Sequence, residues 1–302
     1  MRIVVIGSGA MGSLFAGRLA ASGEDVSLVE VNPAQIDAVK ERGLRLTIAG
    51  TDEIHNLPIG PAQTYSGVYD LVIVFTKGMH TEAAVNGASH LIGPETLALT
   101  VQNGIGNVEK IETVIPRARI IKGMTNWPAT VVETGHVNVP GSGEIHLWPA
   151  LGDGSPRFDE VCHVLNKAGL NCVADRSVDA SIWEKLSFNA ALNSVAAVTC
   201  MTVGEMSDSA EARKIIFSVL DEALATASAL GVAIDRDRTR QSVEYALANH
   251  RHHKPSMLQD RLGGRPMEID TITGAVASHA ERLAVPAPVT ATLTNLLLLI
   301  GK

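Results

Sequence analysis

Cysteine is scarce in this chain. Three residues carry a thiol, Cys162, Cys172 and Cys200, and no Cys-x-x-Cys spacing occurs. Such an odd, sparse set argues against a disulfide framework or a thiolate zinc site and fits a reducing compartment. Each reads as a small buried hydrophobe. Basic blocks are lacking as well. The formal net charge is -7 over 302 residues, which disfavours nucleic acid and anionic membrane surfaces as partners. No apolar run reaches membrane-spanning length; Leu296-Leu297-Leu298-Leu299-Ile300 is far too short. The first residues enter a strand pattern directly, without a visible signal peptide, so the expected location is the cytoplasm. His250, His252 and His253 are adjacent and do not all lie on one helix face; they read as an exposed run, and no metal site is expected.

What the chain has in quantity is apolar residues, 46% of the total, ample for a core and more in keeping with two domains than one. The organising stretch is Arg2-Ile3-Val4-Val5-Ile6-Gly7-Ser8-Gly9-Ala10-Met11-Gly12. A β-branched run predicts a buried strand, Gly-x-Gly-x-x-Gly follows, and a helix pattern continues to Ala20. Gly7 suits the tight turn, Gly9 the approach of a pyrophosphate, and Gly12 close packing of helix on strand. The free N–H groups and dipole of a helix start favour an anion, so Gly7, Ser8, Gly9, Ala10, Met11 and Gly12 are candidate dinucleotide ligands. A second strand, Asp25–Glu30, ends in an acid about twenty residues beyond the glycines, as the fingerprint requires. Glu30 can accept the adenosine ribose hydroxyls and would repel a 2′-phosphate. Val31 and Asn32 add no positive charge, so NAD(H) is favoured; Lys40 and Arg42 are the cations nearest in sequence.

Two further apolar runs, Tyr69–Lys77 and Thr96–Gly104, predict parallel strands buried on both faces. Their carboxyl ends carry Lys77 and Asn103-Gly104, where ligands sit in open α/β sheets. Short strand patterns from Arg119 to about Val173 are expected to complete the sheet. Gly141-Ser142-Gly143 reads as a hairpin turn, and His136 and His146 as solvent-facing. Long Ala- and Leu-rich helices then take over. The expected division is an α/β dinucleotide-binding domain over 1–175 and an all-α domain over 176–302.

In the helix pattern 181–196, Lys185, Asn189 and Asn193 recur every four residues and share one face among apolar neighbours. Burying an ammonium and two amides unpartnered costs several kcal/mol, so this stripe faces water, another polar stripe or a site. Further on, Ser256 after Pro255 reads as a helix-start hydroxyl. Pro266 suits the first turn of a following helix, with Glu268 near its start. The apolar C-terminal helix, Val289 to Ile300, serves either as core or as the interface of a homodimer.

Taken together, Gly-x-Gly-Ala-Met-Gly, Thr76-Lys77, Gln102-Asn103-Gly104-Ile105-Gly106, Trp183-x-Lys185-Leu186-x-x-Asn189-x-x-x-Asn193, Ser256-Met257-Leu258-Gln259-Asp260 and Glu268-Ile269-Asp270 occur in order along nearly the whole chain. This set resembles the ketopantoate reductase family. The resemblance implies a Rossmann domain followed by a helical domain, with the active site between them, and reduction of the 2-oxo acid 2-dehydropantoate to (R)-pantoate with NADP(H), the family default. It implies that Lys185 is the proton donor, that Asn103 lies near nicotinamide and substrate, and that Asn189 and Asn193 hold substrate polar groups. Ser256 would hold the carboxylate, Glu268 a substrate hydroxyl or the cofactor, and Lys77 would sit by the cofactor. The chain departs from the family pattern at Glu30-Val31, where an arginine is usual, at His253, and at Asn193-Ser194, where Asn-Pro is common. A different oxo or hydroxy acid as substrate, with NAD preferred, and a non-catalytic dinucleotide sensor are the alternatives.

Overall fold

A computed structural model describes residues 1–301. The chain forms two compact units: Met1–Gln102 with Asn107–Val178, and Asn103–Gly106 with the chain from Asp179 onward. The division falls three residues later than the sequence suggests, and residues 103–106 leave the first unit for the second.

In the first unit the elements run β1 (Arg2–Ile6), α1 (Ala10–Ala21), β2 (Asp25–Val29), α2 (Pro33–Arg42), β3 (Leu44–Ile48), β4 (Thr51–His55), β5 (Ile59–Gly60), β6 (Tyr69–Val74), α3 (Thr81–Gly87), β7 (Ile92–Thr100), α4 (Asn107–Glu112), β8 (Ile120–Thr125), β9 (Thr130–Glu133), β10 (His136–Val139), β11 (Ile145–Pro149), α5 (Pro156–Lys167) and β12 (Cys172–Ala174). Eight strands form one sheet in the order β12-β11-β8-β7-β6-β1-β2-β5. All pairings in it are parallel except β8 with β11. β1 lies inside, and Ile3, Val4 and Val5 are fully buried. This is why its sequence is continuously apolar rather than alternating. After β1 the chain winds one way, to β2 and β5, and then returns to the other side of β1 as β6. That reversal places a topological switch point between β1 and β6, where open α/β sheets bind ligands.

Part of the region expected to complete this sheet does something else. β9 and β10 join β3 and β4 in a second sheet of order β4-β3-β10-β9. There β10 pairs in parallel with β3, about ninety residues away, as Val137 with Leu46 and Val139 with Ile48. The apolar partners Leu46, Val137 and Val139 bury themselves with Leu14, Phe15 and Leu19 of α1 in one core. Gly141-Ser142-Gly143 therefore joins two different sheets and is not a hairpin turn. The histidines are not simply solvent-facing either. His136 is half-buried and its Nε2 lies 2.7 Å from the Thr47 hydroxyl; His146 is half-buried with Nδ1 3.0 Å from the Asp175 carboxylate.

The second unit contains α6 (Val178–Thr199), α7 (Val203–Asp208), α8 (Ala210–Ala229), α9 (Arg236–Asn249), α10 (Ser256–Leu262), α11 (Thr273–Arg282) and α12 (Pro288–Ile300). α6 is its central rod. Ala190, Ala191, Leu192, Val195, Ala196 and Ala197 are all buried, so the helix is enclosed on most sides. Arg261 of α10 donates to the carbonyls of Ala197 and Val198 near the end of α6, where helical carbonyls lack partners. α12 packs Leu293 and Leu297 inward and leaves Leu296, Leu298 and Leu299 exposed. Among the described residues, no helix is long and apolar enough to cross a membrane.

One expected element is missing. Pro266 does not open a helix: residues 263–264 and 269–272 form turns, and 265–268 between them are irregular. Arg265 folds back on α10, its N–H bonding the Asp260 carbonyl and its Nε the Asp260 carboxylate at 3.0 Å. The Ile269 carbonyl then takes both Ile272 N and Gly274 N, a tight reversal that delays α11 to Thr273. Glu268 consequently lies in the irregular stretch between the two turns and not in a first helical turn.

Candidate active site

The glycine loop has a separate physical reason for each glycine. Gly7 adopts φ +99°, left-handed backbone that suits glycine, against the Phe75-Thr76 peptide at the end of β6. A Cβ on Gly12 would fall 1.8 Å from the Gly7 carbonyl oxygen. At Gly9 a Cβ would meet nothing within 4 Å. The chain itself does not require glycine at 9, so the open space in front of it suits an external group that must come close to the backbone. α1 begins there with Gly9 as its cap residue, no side-chain cap bond and no acid in its first turn. Those N–H groups and the helix dipole suit a pyrophosphate. The residues present thus fit a dinucleotide.

Glu30 follows β2 and is engaged on both oxygens. Oε2 accepts Ser8 N at 3.1 Å and the Ser8 hydroxyl at 2.5 Å; Oε1 accepts Val31 N at 2.7 Å and Asn32 N at 2.9 Å. Burial pushes its carboxyl up, but the Ser8 hydroxyl and these N–H donors outweigh it and hold the group below the ordinary carboxylate range. Arg42 donates to the Thr134 carbonyl. Lys77 is half-buried three residues beyond β6. The loop that carries it is tied down by Gln102, a residue to which sequence reasoning gave no role. Gln102 Nε2 donates to the Thr76 carbonyl at 2.5 Å and lies 2.8 Å from the Thr81 hydroxyl, while its Oε1 accepts the Thr100 hydroxyl at 2.9 Å. An amide directly after a buried strand, at its carboxyl end, was the available signal.

In the helical unit the stripe on α6 is real and meets polar partners. Asn193, 4% exposed, presents Oδ1 to the Ser256 hydroxyl at 3.1 Å and to Met257 N at 2.9 Å. Its Nδ2 lies 3.5 Å from Asn189 Oδ1. Asn193 therefore anchors the start of α10. Asn189 is half-buried one turn earlier, and Ser256 is exposed. Ser256 is the first residue of α10, the cap position being Pro255, so its hydroxyl serves Asn193 and does not cap its own helix.

Lys185 stands one turn before Asn189. Burial of its ammonium lowers its pKa to about 8, against the opposing pull of the Glu268 carboxylate. The Glu268 segment also meets Asn103-Gly104-Ile105. Ile105 N bonds the Thr271 carbonyl at 3.0 Å, and a Cβ on Gly104 (φ +83°) would fall 2.1 Å from that same oxygen. The helical unit thus gathers Lys185, Asn189, Asn193 and Ser256, with Glu268 electrostatically coupled to Lys185 and Asn103 on the segment docked beside Thr271. The first unit gathers the glycine loop with Glu30. Chemically, the first set can hold a proton and bind an oxyacid, and the second can bind a dinucleotide.

The family model described as Ketopantoate reductase PanE/ApbA matches residues 3–151, and that described as Ketopantoate reductase PanE/ApbA C terminal matches residues 177–300. A 2-dehydropantoate 2-reductase of Streptococcus pyogenes is 32% identical, covering 98% of this chain and 96% of its own. That of Pyrococcus horikoshii is 33% identical, with 95% and 93% covered. Among solved structures, a D-mandelate dehydrogenase in ternary complex with NADH and anilino(oxo)acetate superposes with TM-score 0.93 at 30% identity, covering 100% of this chain and 98% of that one. A 2-dehydropantoate 2-reductase of Geobacter metallireducens gives 0.91 at 29%, with 99% of each covered.

Proposed function

This chain belongs to the ketopantoate reductase family, and from that premise we propose that this nicotinamide-dependent oxidoreductase reduces 2-dehydropantoate to (R)-pantoate, with NADH as its preferred cofactor. The observation that carries the reading is Lys185, an ammonium with a pKa of about 8 under the pull of the Glu268 carboxylate, with asparagines one and two turns further along the same face of α6. An acid of that strength is largely protonated at neutral pH and yields its proton readily, which is what general-acid catalysis needs.

When bound, the reduced nicotinamide supplies the hydride for the ketone carbon. Gly7 to Gly12 and the start of α1 would hold the pyrophosphate, Glu30 would receive the adenosine 2′-hydroxyl, and Lys77 and Asn103 would line the nicotinamide end. Lys185 stabilises the negative charge that grows on the ketone oxygen and delivers the proton that completes the alcohol. Glu268 keeps the Lys185 ammonium charged and accepts a substrate hydroxyl. Asn189 donates to the substrate's polar groups; Ser256 turns its one hydroxyl proton from Asn193 Oδ1 to the substrate carboxylate, and Asn193 keeps the start of α10 in place through Met257 N.

A second reading, reduction of an aryl or branched 2-oxo acid to its D-hydroxy acid, is favoured by the likeness to D-mandelate dehydrogenase. That protein was solved with NADH, the cofactor favoured here by Glu30. Steady-state kinetics with 2-dehydropantoate and phenylglyoxylate, each with NADH and NADPH, separate the two. The largest kcat/KM with 2-dehydropantoate and NADH supports the first reading. A clear preference for phenylglyoxylate moves the assignment to the second. Dinucleotide binding with no turnover of either acid leaves a sensor.

A further inference from the structure

Glu30 has no acceptor direction to spare. A carboxylate offers about four lone-pair sites, and Ser8 N, the Ser8 hydroxyl, Val31 N and Asn32 N take two on each oxygen. An adenosine ribose that is to bond Glu30 must displace one of them. Three of the four are backbone N–H groups fixed by the glycine loop and by the turn after β2. The fourth is a hydroxyl that leaves by rotation of one side-chain torsion. The backbone of Ser8 is held independently, because its carbonyl accepts the Ser13 hydroxyl at 2.9 Å and Gln35 Nε2 at 3.2 Å. Gln35 is itself fixed by Gly135 N, which donates to its Oε1 at 2.9 Å.

We propose that the Ser8 hydroxyl is an internal competitor for the adenosine ribose: it occupies Glu30 in the free protein and yields its place to the 2′-hydroxyl when a dinucleotide binds. Ser8 is then a specificity-determining residue of the cofactor site, since only a ligand bringing its own hydroxyl donor repays the bond that is lost. A 2′-phosphate brings charge and no such donor. This rests on the reading of Glu30 as the ribose acceptor.

The test is equilibrium binding to the whole protein, read by nicotinamide fluorescence and by calorimetry, for NADH, NADPH and the NADH analogue lacking the adenosine 2′-hydroxyl. Ser8→Ala removes only the competing donor and leaves the backbone bonds in place. Its Kd for NADH should fall by roughly three- to tenfold, the equivalent of one modest hydrogen bond. The gain should vanish with the 2′-deoxy analogue. An unchanged or weaker Kd for NADH overturns the proposal and leaves the cofactor reading standing, as does an equal gain with the analogue. Failure of the unaltered protein to bind either NADH or NADPH removes the cofactor reading and the proposal with it.

Discussion

Lys185→Met should stabilise the protein while abolishing its turnover. The ordinary lysine value is 10.5, and burial lowers Lys185 to about 8 despite the Glu268 carboxylate. A displacement of that size corresponds to about 3 kcal/mol by which the fold disfavours the charged form. The sign follows from proton linkage. Between pH 8 and 10.5 the unfolded chain holds the proton and the folded chain does not, so stability rises with pH across that window. Below pH 8 both states are charged and the full cost is present. Methionine matches the length of the lysine stem and carries no charge. At pH 6.5 to 7 the variant should therefore gain up to about 3 kcal/mol, and the gain should shrink as pH climbs toward 10. Urea unfolding followed by far-ultraviolet circular dichroism at several pH values measures this, beside the rate of NADH oxidation on the preferred oxo acid. A variant that is less stable at pH 7, or a stability difference that does not change with pH, would refute the picture of a buried, strained ammonium. Retained turnover would remove its role as proton donor.

Two further outcomes follow from the same cluster. In Glu268→Gln the pull that raises the Lys185 pKa is gone, so the alkaline limb of the kcat/KM profile should move from near pH 8 to lower pH; a limb that stays in place would show that another group titrates there. Asn193→Ala leaves Met257 N and the Ser256 hydroxyl without their acceptor, which should cost about 1–3 kcal/mol on denaturant unfolding. It should also raise KM for the oxo acid more than it lowers kcat, whereas an unaltered KM would sever Ser256 from substrate binding.

The glycine loop was legible because backbone sterics write themselves into sequence directly. Gly7 needs left-handed backbone, Gly12 must let a carbonyl pass, and both demands are local to an eleven-residue stretch. The stripe on α6 was legible for a related reason. A helix apolar on most sides makes any repeated polar residue conspicuous, and Lys185, Asn189 and Asn193 had to meet something. The second sheet was not legible. Its defining pairing, β10 on β3, joins segments about ninety residues apart, and β4 is the polar run Thr51-Asp52-Glu53-Ile54-His55. Neither leaves a periodicity in a short window, so β9 and β10 read as extra strands of the main sheet, and His136 as solvent-facing. Its actual surroundings, Thr47 and a neighbouring strand, come from that distant pairing.

Glu268 and Asn103 show why spacing alone could not assemble the site. Pro266 is a sound helix-start signal, yet the Arg265 bonds to Asp260 and the shared Ile269 carbonyl hold the segment out of helix, as turns on either side of an irregular stretch. The turn at 269–272 leaves the Thr271 carbonyl available to Ile105 N, and only a residue without a Cβ fits between them at 104. The Asn-Gly pair thus serves more than a turn: its glycine is required by a carbonyl 167 positions later in the chain. The same contact decides which unit Asn103 belongs to. Gln102 remains with β6 and β7 through Thr76, Thr81 and Thr100, while the next residue belongs with the unit that carries Lys185 and Glu268. A side chain expected near both nicotinamide and substrate therefore sits where the peptide passes from one unit to the other. Its placement depends on Gly104 more than on the strand that precedes it.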